Sequence, residues 1–486
     1  MKKLHRFLDS ITSYRVVLYS LAFLTVTALS LSALNILSYS SFGTLSLTLL
    51  LLLGVSFLSN ILFGRLYKVA INHESSIITA LILFFVLASP SKASDWAGVA
   101  LAALLAMASK YLITWRSTHI FNPSAFGVLA VSLIGIGSGA WWIADKSLLI
   151  PMLVVGFVVL TKIRRFELFF AFIVATLLML IVKSPANTSL INLITSSFSL
   201  YPILFLGTIM LTEPATMPST RINRAIFAVI TGLIFVSNMD FGFIATSPHL
   251  ALIVANVFAF LVTMRSGAYL KLVEKKQLTP TTYSFAFEPS RPVAYKAGQY
   301  MEFTMPGVKI DTRGNRRTFT IASSPQDKLI KIGVKFYNSG SQFKNKLQGL
   351  KIGDTIMGGH VAGDFILPKS QNRPVVFIAG GIGITPFIAM LEEHMSTKSK
   401  RPVALYYFIA DKNELAYKGL LKTAKNMGVD VQLRIGKGVR LTEDDIKSKL
   451  DSDFYLSGPP GMVGAYKAQL QNMKVQTIHT DLFTGY

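Results

Sequence analysis

The 486-residue chain contains no cysteine. Disulfides, cysteine-ligated iron–sulfur clusters and thiolate zinc sites are therefore excluded, while the compartment is left open. Acidic residues are scarce: 25 Asp and Glu stand against 48 Lys and Arg, a formal net charge of +23. Histidines number only seven. Apart from His5 at the start of the chain, those in the apolar half are His73, His119 and His249, and these three fall near the ends of apolar runs. Haem carried within a membrane domain needs histidine pairs at matched depth on two helices, which these do not form. Carboxylates are almost missing from the apolar runs, so ion pumping by this chain alone has no support. Internal repeats and low-complexity tails are also lacking.

Hydrophobic residues make up 51% of the chain and the mean hydropathy is +0.49, yet the charge is strongly positive. A soluble basic protein would not combine these; a membrane protein with basic cytoplasmic loops would. Nucleic acid binding, the other reading of a pI near 9.9, is set aside because the charges lie between apolar runs instead of on one basic face. The run from Val16 to Leu37 is too long for a signal peptide and long enough to span, so it reads as an uncleaved first helix. Further runs centre near Leu50, Ile82, Ala102, Leu129, Val155, Val174, Ile209, Val229 and Ala255, about ten transmembrane helices in all, some short enough to be tilted or broken. With a cytoplasmic N-terminus, the inside loops carry Arg65 and Lys68; Lys110 and Arg116; Lys162, Arg164 and Arg165; Arg221 and Arg224; Arg265 and Lys271. The outside loops carry only Lys92, Lys146 and Lys183. This bias predicts a multi-pass cell-membrane protein with both termini in the cytoplasm.

The composition changes after Arg265. Residues 1–265 read as an all-α polytopic electron-transport domain in the lipid bilayer. Ala268 to Gln277 reads as a short junction. Short alternating runs follow (Tyr283–Phe287, Tyr300–Met305, Arg317–Ala322, Ile330–Tyr337), as in a small antiparallel β-barrel over 266–372. From about Pro374 apolar strands (Val375–Ala379, Val403–Ile409, Val429–Ile435, Asp453–Leu456) alternate with helical stretches, which predicts an α/β parallel-sheet domain over 373–486.

Three stretches of this half carry chemistry. In Arg316-Arg317-Thr318-Phe319-Thr320, strand alternation puts Arg317 and Phe319 on one face and Thr320 on the other. A guanidinium forks onto a diphosphate, a flat ring stacks on an isoalloxazine, and a hydroxyl can hydrogen-bond flavin N5. Val375 to Phe387 reads strand, glycine turn (Gly380, Gly381, Gly383), then helix start (Thr385, Pro386), a setting that favours a diphosphate. Ser457-Gly458-Pro459-Pro460-Gly461-Met462 sits at the C-terminal end of the last of these strands, where open α/β sheets bind ligands.

In this order the three stretches resemble the motifs of the ferredoxin–NADP+ reductase superfamily, over about Leu270 to Tyr486. The resemblance implies a barrel binding FAD and an α/β domain binding NAD(P)H. It gives Arg317 the FAD diphosphate, Phe319 and Thr318 the flavin surroundings, and Thr320 the catalytic position at N5. Gly340 and Ser341 fall at a second phosphate contact. Gly380, Gly381, Gly383, Thr385, Pro386, Gly458, Pro459 and Met462 line the nucleotide site. Ser457 replaces the family's more common cysteine beside the nicotinamide. Tyr486, at the end of the chain, either covers the flavin as in some members or belongs to a frayed tail. Asp411, after the second strand, would accept from a ribose hydroxyl and repel a 2′-phosphate, which favours NADH; the adjacent Lys412 argues the other way.

Three stretches of the apolar half also stand out: Ser75-Ser76-Ile77-Ile78-Thr79-Ala80-Leu81, Phe121-Asn122-Pro123-Ser124-Ala125, and Leu211-Thr212-Glu213-Pro214-Ala215-Thr216-Met217-Pro218. In order they resemble motifs of the D subunit of Rnf complexes and the B subunit of sodium-pumping NADH:quinone reductase, over about residues 10 to 265. Glu213 stands where that family has aspartate. Its members carry FMN esterified to a threonine, and the nearest stretch here offers Thr188, although the glycine, adjacent alanine and upstream aspartate of the attachment motif are missing. Together the readings predict a membrane flavoprotein that oxidises cytoplasmic NAD(P)H through FAD and feeds an acceptor in the membrane half: a second flavin, a quinone or an extracytoplasmic acceptor, with redox partner subunits left open. A simple NAD(P)H:quinone reductase with a membrane anchor, or a flavin transporter with a redox sensor domain, are the alternatives.

Overall fold

The computed structural model describes residues 8, 11–67, 71–115, 118–185, 188–237, 239–240, 242, 245–263, 267–305, 316–337, 341–368, 373–436 and 438–482. The chain divides into two compact units, Met1–Thr263 and Met264–Tyr486.

The first unit is helical: α1 (Ser13–Ala33), α2 (Phe42–Leu66), α3 (His73–Val86), α4 (Ala93–Leu112), a two-residue hairpin of β1 (Thr114–Trp115) and β2 (Thr118–His119), α5 (Pro123–Leu133), α6 (Leu149–Ile163), α7 (Phe166–Lys183), α8 (Leu190–Leu200), a π turn over Leu206–Met210, α9 (Arg221–Phe235) and α10 (Pro248–Val262). Every apolar centre read from the sequence falls in a helical segment. Among the described residues, however, only four segments are long and apolar enough to cross a membrane, Ser13–Ala33, Phe42–Leu66, Lys146–Ile163 and Phe166–Lys183, or five if a pair bent by 66° counts as one. α4 has the length, at 20 residues, but carries Asp95 and Lys110; α3, α5 and α10 are shorter apolar helices, and at α3 a physical reason is visible. It is buried on all sides from Thr79 to Val86 and measures about 21 Å at 1.5 Å per residue. Its freed carbonyls find partners in a loop: Val86 O accepts from Ala140 N (2.9 Å) and Trp141 N (3.2 Å), and Ala88 N donates to Ser138 O. Non-helical backbone of this kind is tolerated where protein surrounds it. Three cations read as loop charges are drawn into the helical unit, Lys162 and Arg224 buried and Lys110 partly buried. Lys110 reaches Ser75 and Thr79, Lys162 donates to Leu8 O at 2.9 Å, and Arg224, 2% exposed, donates to Ser219 O. Lys68, Arg116 and Arg265 lie outside the described residues.

The second unit begins with a six-stranded antiparallel sheet in the order β6-β5-β8-β3-β4-β7, built from β3 (Ala268–Thr279), β4 (Thr282–Pro289), β5 (Tyr300–Thr304), β6 (Arg316–Thr320), β7 (Ile330–Lys335) and β8 (Thr355–Ala362), with α11 (Gln342–Gln348) between the last two. A bridge from Ile321 to Ile332 brings the β6 edge back to β7 and closes the barrel. Leu270, Phe285, Phe287, Phe303, Ile332 and Ile356 fill its interior. The stretch read as a junction is β3, the longest of these strands. Ala268, Leu270 and Leu272 point inward and Tyr269 and Lys271 outward, so it is held by the same alternation as its neighbours.

The rest of this unit holds a five-stranded parallel sheet ordered β11-β10-β9-β12-β13: β9 (Val375–Gly380), β10 (Val403–Ile409), β11 (Asp430–Ile435), β12 (Asp453–Gly458) and β13 (Ile478–Leu482). Its helices are α12 (Thr385–Ser396), α13 (Lys418–Asn426), α14 (Glu443–Lys447) and α15 (Pro460–Asn472). Phe377, Tyr407 and Tyr455 pack on one side with α12; Ile378, Tyr406 and Leu456 pack on the other with Val463 and Leu470 of α15. Burial on both faces explains why β9, β10 and β12 read as unbroken apolar runs; β11, at the sheet edge, is only partly buried. β13 takes Asp481 and Leu482, the first two residues of the stretch read as a possible tail, into the sheet; residues 483–486 lie outside the described residues.

Candidate functional site

Strand order reverses between β9 and β12: β10 and β11 build outward from β9, and β13 from β12. Crevices at the carboxyl ends of strands flanking such a reversal are where open α/β sheets take ligands. Both glycine turns lie there. A Cβ on Gly383 would stand 2.4 Å from Ser457 O and 2.6 Å from Gly458 Cα; one on Gly380 would stand 2.6 Å from Met462 Sδ and 3.0 Å from Pro459 Cδ. These glycines let the two turns touch. Gly381 differs: its φ is +54° and a Cβ would meet nothing within 4 Å, so its backbone faces open space. Thr385 Oγ1 donates to Ile382 O at 3.1 Å, closing the turn onto the start of α12. The Ser457 side chain is fully buried and its hydroxyl has no hydrogen-bond partner among the described residues. A buried hydroxyl in that state is left for a ligand atom or an ordered water to satisfy.

Ser457 pairs in parallel register with Asp481 of β13. Burial pushes the Asp481 carboxyl up to about 6, against an ordinary value of about 3.9. The folded protein therefore binds an extra proton between those values, and this contribution to stability, complete below about pH 4, is lost as pH rises through about 6. Thermal unfolding of the full chain against pH should show it as a difference from Asp481→Asn, which gains relative stability from pH 4 to pH 7. Parallel curves for the two proteins would refute the assignment.

On the barrel, Arg317 and Phe319 do share a face, and Phe343 of α11 links them. The Arg317 guanidinium carbon lies 5.5 Å from the centre of the Phe343 ring, and the Phe319 and Phe343 rings are 5.9 Å apart. Arg317 is 3% exposed and its Nη1 donates to Arg316 O. A guanidinium buried in a barrel wall, with five donors in one fork, suits a diphosphate. Thr318 is exposed and Thr320 buried, and the pleat turns both away from the Arg317 face. Ser341 caps α11, accepting from Lys344 N at 3.4 Å. Asp411 closes the turn after β10, its carboxylate accepting from Asn413 N at 2.7 Å. Gly340 and Tyr486 lie outside the described residues. Sequence reasoning missed Phe343, Asp481, Gly333 and Tyr417; the last two meet where the barrel and the parallel sheet join.

The first unit has its own polar centre, and all three of its motifs enter it. Glu213 accepts from Asn122 Nδ2 at 2.8 Å and stands 3.1 Å from His119 Nε2. Asn122 N donates to Asn256 Oδ1 at 2.8 Å. Lys110 Nζ donates to Ser75 O and Oγ and to Thr79 Oγ1 at 2.8 to 3.0 Å. Ser124 Oγ reaches Thr79 O at 3.4 Å, tying the second motif to the first. Thr188 is exposed ahead of α8, its N–H donating to Pro185 O; Ala186 and Asn187 lie outside the described residues. His249 faces Trp141, and His73 stacks on Phe57.

Residues 269–363 match the family model described as Oxidoreductase FAD-binding domain, and residues 377–468 the one described as Oxidoreductase NAD-binding domain. The chain is similar to a flavohemoprotein of Pseudomonas putida, 32% identical over 227 residues that cover 42% of this chain and 55% of that one. It is similar to a flavohemoprotein of Deinococcus radiodurans at 28% identity, with the same coverage. An NAD(P)H-flavin reductase of Aliivibrio fischeri is 26% identical over 222 residues, covering 42% of this chain and 92% of that one. The chain thus spans about half the length of the flavohemoproteins it matches.

Proposed function

We propose, from a C-terminal half that carries the FAD-binding and NAD-binding domains of the ferredoxin–NADP+ reductase and flavohemoprotein reductase family, that the chain is a membrane-bound NAD(P)H-dependent flavin oxidoreductase feeding an acceptor in its N-terminal unit. The observation that carries this reading is the buried, unpartnered Ser457 hydroxyl between two glycine turns at the strand-order reversal. Arg317 holds the FAD diphosphate, Phe319 flanks the isoalloxazine, and Thr320 offers N5 a hydroxyl. Gly380, Gly381, Gly383, Thr385 and Pro386 receive the nicotinamide nucleotide, with Gly458, Pro459 and Met462 as the opposing wall. Ser457 orients the nicotinamide, and Asp411 accepts from the adenosine ribose, which favours NADH. When bound, FAD supplies the conversion between hydride from a reduced nicotinamide and single electrons.

The N-terminal unit is a multi-pass membrane domain whose helical segments make about ten crossings, counting short and broken ones, with both termini in the cytoplasm. The alternating Lys/Arg bias of its loops supports this. The acceptor lies in that unit: a second flavin, FMN at Thr188 included, or a quinone, with onward transfer to an extracytoplasmic acceptor. The convergence of its three motifs on Glu213 and Lys110 supports a functional centre there, since ionisable groups buried within membrane domains are costly to keep.

Counting flavins in the purified protein tests both parts. FAD that is bleached by NADH supports the reductase; FAD that NADH leaves oxidised overturns it. FMN retained by the denatured chain and lost in Thr188→Ala places the relay on a second flavin. FAD alone, fully released, removes covalent FMN and leaves quinone or a loosely held flavin as the acceptor.

A further inference from the structure

The turn after β10 does not stand free in solution; it is seated on the barrel. Gly333 of β7 has no side chain to obstruct this seat. A Cβ there would lie 2.4 Å from Tyr417 Oη and 2.8 Å from Thr385 Cγ2. One barrel residue thus supports both the glycine turn, through Thr385, and the segment after β10, through Tyr417. Tyr417 adopts φ +56°, a left-handed conformation that costs a non-glycine residue about 1 to 2 kcal/mol, and it does so with its hydroxyl buried against Gly333.

Two residues along β7, Lys335 Nζ meets Glu414 Oε1 at 2.8 Å, with the side chains 17% and 32% exposed. Glu414 N donates to Asp411 O at 3.0 Å and Asn413 N to Asp411 Oδ1 at 2.7 Å, so Asp411–Glu414 forms one closed turn. On the barrel side, the Lys335 carbonyl accepts from Lys344 Nζ at 3.0 Å, and Lys344 belongs to α11, the helix that Ser341 caps. An unbroken series of polar contacts therefore runs from α11 through Lys335 and Glu414 to Asp411.

We infer that the Lys335–Glu414 ion pair fixes the ribose-side turn on the flavin barrel, which makes both residues positioning residues for the nicotinamide nucleotide. This rests on the reductase reading above. Neither side chain needs to touch the nucleotide. Their pairing holds Asp411 in the place from which it meets the ribose, and holds the nucleotide domain in register with the barrel. Loss of either partner leaves the other half-buried and unpaired, and frees the turn.

The test is NAD+ binding by calorimetry to the FAD-loaded full chain in detergent, for wild type, Lys335→Met, Glu414→Gln, their double variant, and the charge swap Lys335→Glu with Glu414→Lys. Each single change is expected to weaken NAD+ binding about tenfold. The double variant should be no weaker than either single, and the swap should return to within about threefold of wild type. FAD content, measured on each protein, should not change. Unchanged affinity in the singles, or full additivity in the double, overturns the inference. So does tighter binding in Glu414→Gln, which would make Lys335 a direct phosphate ligand held in check by the carboxylate. A wild type that binds FAD but no NAD+ overturns the reductase reading itself, and with it this inference.

Discussion

Arg317→Ala is expected to yield a protein that has lost most of its FAD. Charge-assisted hydrogen bonds contribute about 1.5 to 3 kcal/mol each, and a guanidinium places two on one diphosphate. Removing both weakens FAD retention by about 100-fold at the least and up to about 10,000-fold, since about 1.4 kcal/mol is a factor of ten. Arg317→Lys keeps the charge without the fork and should fall between. Arg316→Ala is the control: Arg316 is about half exposed and 3.3 Å from Glu302, an arrangement worth under about 1 kcal/mol. Arg317→Met preserves packing against Phe343 and separates a binding defect from a folding defect. The measurement is the flavin-to-protein absorbance ratio after purification and dialysis. An Arg317→Ala protein that keeps wild-type FAD would remove Arg317 from the site.

Gly383→Ala should slow reduction by NADH on the order of 100-fold while leaving FAD in place. Every atom its Cβ would strike is backbone: Ser457 O at 2.4 Å, and Gly458 Cα and Ser457 C at 2.6 Å. No flexible side chain can yield, so the two turns must part. The stability cost is about 1 to 3 kcal/mol, as for other overpacked sites. The rate of NADH-driven bleaching is expected to fall on the order of 100-fold, because reacting groups displaced by about 1 Å lose that much. Gly381→Ala provides the contrast. Its φ of +54° carries a strain of about 1 kcal/mol for alanine, but its Cβ enters open space, so its effect on bleaching should be under about tenfold. Stopped-flow bleaching and thermal unfolding of both variants decide the matter. Wild-type bleaching in Gly383→Ala would show that contact between the turns is dispensable.

The flavin-side and nucleotide-side residues were legible because local rules place them. Alternation alone put Arg317 and Phe319 on one face, and both glycine turns follow apolar strands that announce themselves. β3 was not legible. Its alternation is interrupted by a register shift between Leu272 and Glu274, and the charged run that follows looks like a linker. β8 was not among the strands read from the sequence; its adjacent Gly358 and Gly359 are poor strand formers, yet a Cβ on Gly358 would collide with Leu270 and Met301. In the first unit, hydropathy located each helical centre but not its length. Whether an apolar run ends after 14 residues, as α3 does, depends on a loop more than fifty positions away offering partners to Val86 O.

By itself the sequence determined the division into an apolar, basic-looped half and a half with barrel-like and α/β patterns, together with the motifs each carries. Those are properties of composition and short periods, which neighbouring residues impose on one another. The tertiary structure alone decided that Lys110 joins the centre around Glu213 and Asn122, that Asp481 lies beside Ser457, and that Lys335 closes on Glu414 from 79 positions away. These pairings arise where strands and helices pack, and no local period encodes which distant residue will fill the space beside a glycine such as Gly333.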